Sequence, residues 1–120
     1  MTPGPPHDAP SAAELITAVR EWIEGDVMAG TEGRLRFHAR VAANALAIVE
    51  RELAVGAEQA AGHADRLAGL GMASDAELAQ AIREGALDDR YDEVKAAVWA
   101  SVRDKLAVAH PGYDATPAAD

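Results

Sequence analysis

Between Glu32 and Val55 the chain sets apolar residues three and four positions apart for six turns, with no proline and no glycine after Gly33. That period fits an α-helix and excludes a strand. With Arg34 at zero on a 100° wheel, Phe37, Ile48, Val41, Ala45, Val49, Ala42, Leu35, Leu53 and Leu46 fill about 180°. A stripe that broad needs neighbours on two sides. It predicts a central helix in an all-α fold.

The remaining pattern is helical too. Ser11-Ala-Ala-Glu14 has the form of a capping box, in which hydroxyl and carboxylate each satisfy one free amide. Leu15, Ile16, Val19, Trp22, Ile23 and Val27 follow at helical spacing, which predicts helix one from Ser11 to about Ala29, with Gly30 as a left-handed stop. Gly56 is expected to close helix two. A weaker helix three covers Ala57–Leu70, ended by Gly69 and Gly71. Ser74-Asp-Ala-Glu77 is a second capping box, opening a short helix four to Glu84 with Gly85 as its stop. Asp88 or Asp89 is expected to cap helix five, Arg90–Ala109, whose stripe is Tyr91, Val94, Val98, Val102 and Leu106 and whose end is Pro111. No alternating pattern and no repeat of 20–50 residues occurs. The expected architecture is a small helical bundle of three long helices plus a short helical hairpin. It occupies residues 11–110, between proline-containing tails at 1–10 and 111–120 that lack periodicity.

Composition sets limits on function. Leu, Ile, Val and Phe total only 23 of 120 residues, and 29 are alanine. Few large apolar groups and a net charge of −9 border on the composition of disordered chains. Helical placement and alanine's helix propensity argue the other way. The excess of acid argues against non-specific binding to nucleic acid or to anionic lipid. With no cysteine, disulfides, thiolate metal sites and cysteine nucleophiles are excluded. The first residues lack a signal-peptide pattern, and no apolar run is long enough to span a bilayer. Cytoplasmic placement is the expectation.

No nucleotide-binding glycine loop, HExxH, GxSxG or paired Glu-x-x-His signature is present. The reading is therefore non-enzymatic, with no cofactor, no catalytic residue and no metal ligand. The acidic run Asp88–Glu93 lacks the spacing of a calcium loop and fits the positive end of a helix. His63 and His110 have no metal-ligand spacing. Trp22 and Trp99 are expected as core or interface anchors.

Helix two holds the candidates for contact. Arg34 and His38 fall inside the apolar arc, where burial requires a partner. That partner is a phosphate or carboxylate on another molecule, or an acid of the same chain such as Glu21 or Glu24; His38 also fits a packed imidazole with one backbone partner. Arg36, Arg40 and Asn44 form one row, with Arg51 on the same edge. Two neighbouring arginines repel unless an anion sits between them. An acidic partner, a ligand phosphate, or the chain's own Glu32 or helix five would serve. Asn44, among alanines, fits either a buried register-fixing amide or a surface position.

The stretch Gly33-Arg-Leu-Arg-Phe-His-Ala-Arg-Val-Ala-Ala-Asn, continuing to Leu53, resembles a family of small bacterial helical proteins of unknown function. So do Pro6-His-Asp-Ala-Pro10, Leu78–Gly85 and Val102-Arg-Asp-Lys-Leu-Ala-Val-Ala-His-Pro111. The likeness spans nearly the whole chain. It also extends to the small kinase-associated subunits of levulinate and 4-hydroxyacyl-CoA catabolism. There an aminoglycoside-phosphotransferase-like kinase phosphorylates the hydroxyl of the acyl-CoA, and an acyl-CoA dehydrogenase-like protein then removes the phosphate. The resemblance implies a non-catalytic accessory subunit whose partner is the kinase-like protein, with the dehydrogenase-like protein as a second candidate. It carries over no catalytic residue. The residues expected to meet a partner or ligand are Arg34, Arg36, Phe37, His38, Arg40 and Asn44. Two other readings stand beside it: a self-associating structural bundle forming a homo-oligomer, and a stand-alone acyl-CoA binding module.

Overall fold

A computed structural model describes residues 3–114. The last six residues of the expected C-terminal tail, and the first two of the N-terminal one, lie outside the described residues. The described chain is all-α, without a strand: α1 Ala12–Trp22, α2 Gly33–Gly69, α3 Asp75–Arg83 and α4 Tyr91–Ala109. A π-helical turn, Ile23–Val27, extends α1, and a 3-10 turn, Asp88–Arg90, precedes α4.

The helix ends follow local chemistry. The Ser11 hydroxyl accepts the Glu14 amide at 3.2 Å, and the Glu14 carboxylate accepts the Ser11 amide at 3.1 Å, completing the capping box. Those bonds, the backbone one first, hold the Glu14 carboxyl below its ordinary pKa. Ser74 caps α3 by accepting the Glu77 amide at 3.2 Å, but the Glu77 carboxylate reaches Ala73 instead, at 2.7 Å. Gly71 and Gly85 sit at φ +76° and +77° after α2 and α3. Each is the left-handed residue of a Schellman end. Met72 N–H donates to Leu67 O and Gly71 N–H to Ala68 O; Ala86 N–H donates to Ala81 O and Gly85 N–H to Ile82 O.

Four expectations give way here. Helices two and three are one 37-residue helix, because Gly56 does not stop it. A lone glycine costs about 1 kcal/mol against alanine within a helix, and Ala57-Glu-Gln-Ala-Ala beyond it all favour helix. The hairpin is thus reduced to the single short helix α3. Gly30 does not have positive φ. There the Thr31 hydroxyl donates to the Val27 carbonyl at 2.6 Å and the Gly30 amide to Asp26 O at 3.0 Å, so those carbonyls are satisfied without a left-handed residue. Neither Asp88 nor Asp89 caps α4, since the 3-10 turn leads directly into it and no side-chain cap bond is made at its start.

The chain divides into two compact units, Met1–Val55 and Gly56–Asp120. In the first, Ala39 and Ala43 of α2 are buried, and Glu50, on the same side of α2 by residue spacing, accepts from Thr17 and Arg20 of α1. In the second, Leu67, Leu70, Leu78, Ala81 and Leu87 form the core, flanked by Met72, Val94 and Ala97.

Candidate functional site

The six expected contact residues all lie on the first three turns of α2, and all six are exposed. Their arrangement follows from which side of α2 meets α1. Ala39, Ala43, Leu46 and Glu50 share one side and are buried or half-buried. Phe37, Val41, Asn44 and Ile48 lie about 160° round the helix from them by residue spacing. Phe37 is 62% exposed and Val41 51%. Arg36 and Arg40 flank this apolar strip on one edge, with Arg34 and His38 on the other. The Phe37 and His38 rings lie 6.0 Å apart, tilted by 55°.

The intramolecular acids weighed for these cations are engaged elsewhere or simply not paired with them. Glu24 pairs with Arg20 at 2.9 Å. Glu93, in the acidic start of α4, pairs with Arg90 at 2.6 Å. Among the described residues, no ion pair involves Arg34, Arg36 or Arg40. Asn44 is on the surface and not buried. The patch is therefore three cations around an exposed phenylalanine, in a protein of net charge −9. Anions and apolar groups are what it can take up.

The interior of this unit uses its polar groups differently. Arg20 donates to both oxygens of Glu50 and to Glu24, and Thr17 donates to Glu50 at 2.9 Å. The Arg20 bond holds the Glu50 carboxyl below the usual carboxylate range, with the Thr17 bond acting the same way. In turn, Glu50 and then Glu24 raise the Arg20 guanidinium further above its ordinary pKa.

The second unit contains a network that sequence reading passes over. His63 Nδ1 lies 2.9 Å from Ser101 Oγ, and His63 Nε2 lies 2.9 Å from Asp75 Oδ1. Arg66 donates to Ser101 Oγ at 3.2 Å and to Asp104 at 3.0 Å, and Gln59 donates to the Asp104 carbonyl at 2.9 Å. The connectivity serine–histidine–aspartate is that of an activated nucleophile. Ser101 sits in the interior of α4, where its own amide is spent in the helix ladder. What the network does is fasten α4 and the start of α3 to α2. Its members lie 12 to 45 positions apart on three helices, so no motif could have announced it. Among the described residues, no group of three His, Asp or Glu side chains could hold a metal ion, and no helix is long and apolar enough to cross a membrane.

Trp22 and Trp99, expected as anchors, are 58% and 51% exposed, so neither is a core residue of the chain.

Residues 29–113 match the family model described as Domain of unknown function (DUF6285). No curated protein and no solved structure matches the chain.

Proposed function

We propose that this chain, which belongs to the DUF6285 family, is a non-catalytic accessory subunit of an aminoglycoside-phosphotransferase-like hydroxyacyl-CoA kinase. It stabilises that kinase or completes its acyl-CoA site. The observation that carries the reading is the start of α2: Arg34, Arg36 and Arg40, without ion-pair partners among the described residues, around an exposed Phe37. Acidic side chains of a partner, or the phosphates of a CoA thioester, are the groups that two arginines one turn apart take up. Phe37 supplies an aromatic anchor beside them, a residue type enriched at the centres of interfaces. His38 and Asn44 complete the contact as hydrogen-bonding groups. The kinase itself is what the sequence resemblance implies. An acyl-CoA dehydrogenase-like protein is a second partner on the same ground.

Co-expression with an aminoglycoside-phosphotransferase-like hydroxyacyl-CoA kinase tests this. The expected result is co-elution, and ATP-dependent phosphorylation of a 4-hydroxyacyl-CoA only when this chain is present. Arg36→Glu with Arg40→Glu should abolish co-elution while leaving the helical circular dichroism of the free chain unchanged. Co-elution retained by that variant removes this surface. Separate elution of the wild-type chain and a fully active lone kinase would sink the reading.

A further inference from the structure

A guanidinium and an imidazole meet at one hydroxyl in the second unit, and the lone pairs available there fix where a proton sits. Arg66 brings Nε and Nη2 to Ser101 Oγ, at 3.3 and 3.2 Å. A hydroxyl oxygen has two lone pairs and one hydrogen. The two Arg66 N–H groups fill the lone pairs, so the Ser101 hydroxyl donates its hydrogen elsewhere. His63 Nδ1, 2.9 Å away, is the acceptor. Nδ1 therefore carries no hydrogen, and the neutral ring holds its proton on Nε2. That nitrogen faces the Asp75 carboxylate, 2.9 Å from Oδ1 and 3.1 Å from Oδ2. In this tautomer every donor in the row has an acceptor.

A second proton on the ring breaks this order at one end and reinforces it at the other. It sits on Nδ1, aimed at an oxygen whose lone pairs Arg66 already holds, and it sets a cation beside the guanidinium. The tie from α2 to α4 through His63 and Ser101 is lost. At Nε2 the bond to Asp75 becomes charge-assisted, which makes it shorter and stronger than a neutral one. The charged groups around the ring are Arg66 on its own helix, Asp75 on α3 and Asp104 on α4. Asp104 is bound to Arg66 at 3.0 Å, so the carboxylate left to answer a charged ring is the one on α3. The His63 side chain is 34% exposed and exchanges protons with solvent. Histidine is the side chain suited to change charge between pH 5 and 8.

We propose that His63 is a proton-operated latch between α3 and α4. Neutral, it holds α4 through Ser101. Protonated, it releases Ser101 and grips Asp75 at the start of α3. The bonds from Arg66 and Gln59 to Asp104 keep α4 in place, so the change is local. The latch belongs to the second unit and does not rest on the kinase reading.

Nuclear magnetic resonance on the full-length chain tests the proposal. At the alkaline end of the range the neutral His63 ring of the wild type should carry its proton on Nε2, read from couplings between ring hydrogens and ring nitrogens. From about pH 8 to about pH 5 the α4 amides around Ser101 should exchange about fivefold faster, relative to intrinsic rates, which is the worth of one intramolecular hydrogen bond. Amides at the start of α3 should slow over the same range. Ser101→Ala should abolish the first change and keep the second, and Asp75→Asn should do the reverse. A neutral ring protonated on Nδ1 overturns the proposal in the wild type alone, whether or not the variants fold. So does α4 exchange that ignores pH or quickens equally in Ser101→Ala, and so does an α3 start that does not tighten.

Discussion

Gly69 and Gly71 stand two residues apart at the end of α2, and their replacement by alanine should have opposite effects. Gly69 is the last residue of the helix and does not have positive φ. A Cβ built on it meets nothing within 4 Å. Its carbonyl accepts from Arg90 at 3.1 Å, a backbone contact that alanine keeps. Alanine gains about 1 kcal/mol over glycine in a helix interior and roughly half of that at a terminal position. Gly71 is at φ +76°. Alanine there pays about 1–2 kcal/mol for the left-handed conformation, although the site is open to solvent. The two variants should therefore differ by about 2 kcal/mol. For a chain of 120 residues 1 kcal/mol moves the melting temperature by about 4 °C. Gly69→Ala should rise by about 2 °C and Gly71→Ala should fall by 4 °C or more, in thermal melts followed at 222 nm. Two shifts of the same sign, or a harmless Gly71→Ala, would refute the assigned Schellman end and place the left-handed residue elsewhere.

Other residues offer independent checks. Leu78→Ala removes a side chain that is 8% exposed in the core of the second unit and should cost about 2–3 kcal/mol. In urea the midpoint should fall with little change in slope; a loss under about 1 kcal/mol would mean that the core is not closed there. Glu50 has a pKa lowered in the folded chain, so its contribution is present above the ordinary carboxylate pKa and disappears as pH falls through the folded value. The urea midpoint of the wild type should drop on acidification below about pH 4.5, and Glu50→Gln should lose part of that drop. Identical pH profiles for the two proteins would show that the Arg20–Glu50 pair contributes nothing to stability.

Features that depend on a few neighbouring residues could be read from the sequence. The box at Ser11 and Glu14, the Ser74 cap, and the left-handed glycines at 71 and 85 each need only a handful of consecutive residues. Gly56 misled because a glycine ends a helix only when the residues after it also leave the helix, and Ala57 onward do not. The π-turn at Ile23–Val27 has no signature that periodicity detects. The link from His63 to Ser101 and Asp75 depends on how three helices pack, which spacing along one helix does not encode. The contact patch stands between these cases. Periodicity put Arg34 and His38 inside the apolar arc of helix two. Yet a stripe has the same form whether a neighbouring helix of the chain or another molecule covers it. Only the structure separates the buried Ala39 side from the exposed Phe37 side.

The protein has two tryptophans, and they fall one to each unit: Trp22 at the end of α1 and Trp99 in α4. Both are about half-exposed. Indole emission moves to shorter wavelength when water is removed from the ring, so each unit carries its own optical label. Replacing Trp22 by phenylalanine leaves Trp99 as the sole tryptophan signal, and the reverse replacement isolates Trp22. An emission shift in one single-tryptophan protein and not in the other would then locate an added partner on the molecule, without a dye and without a crystal.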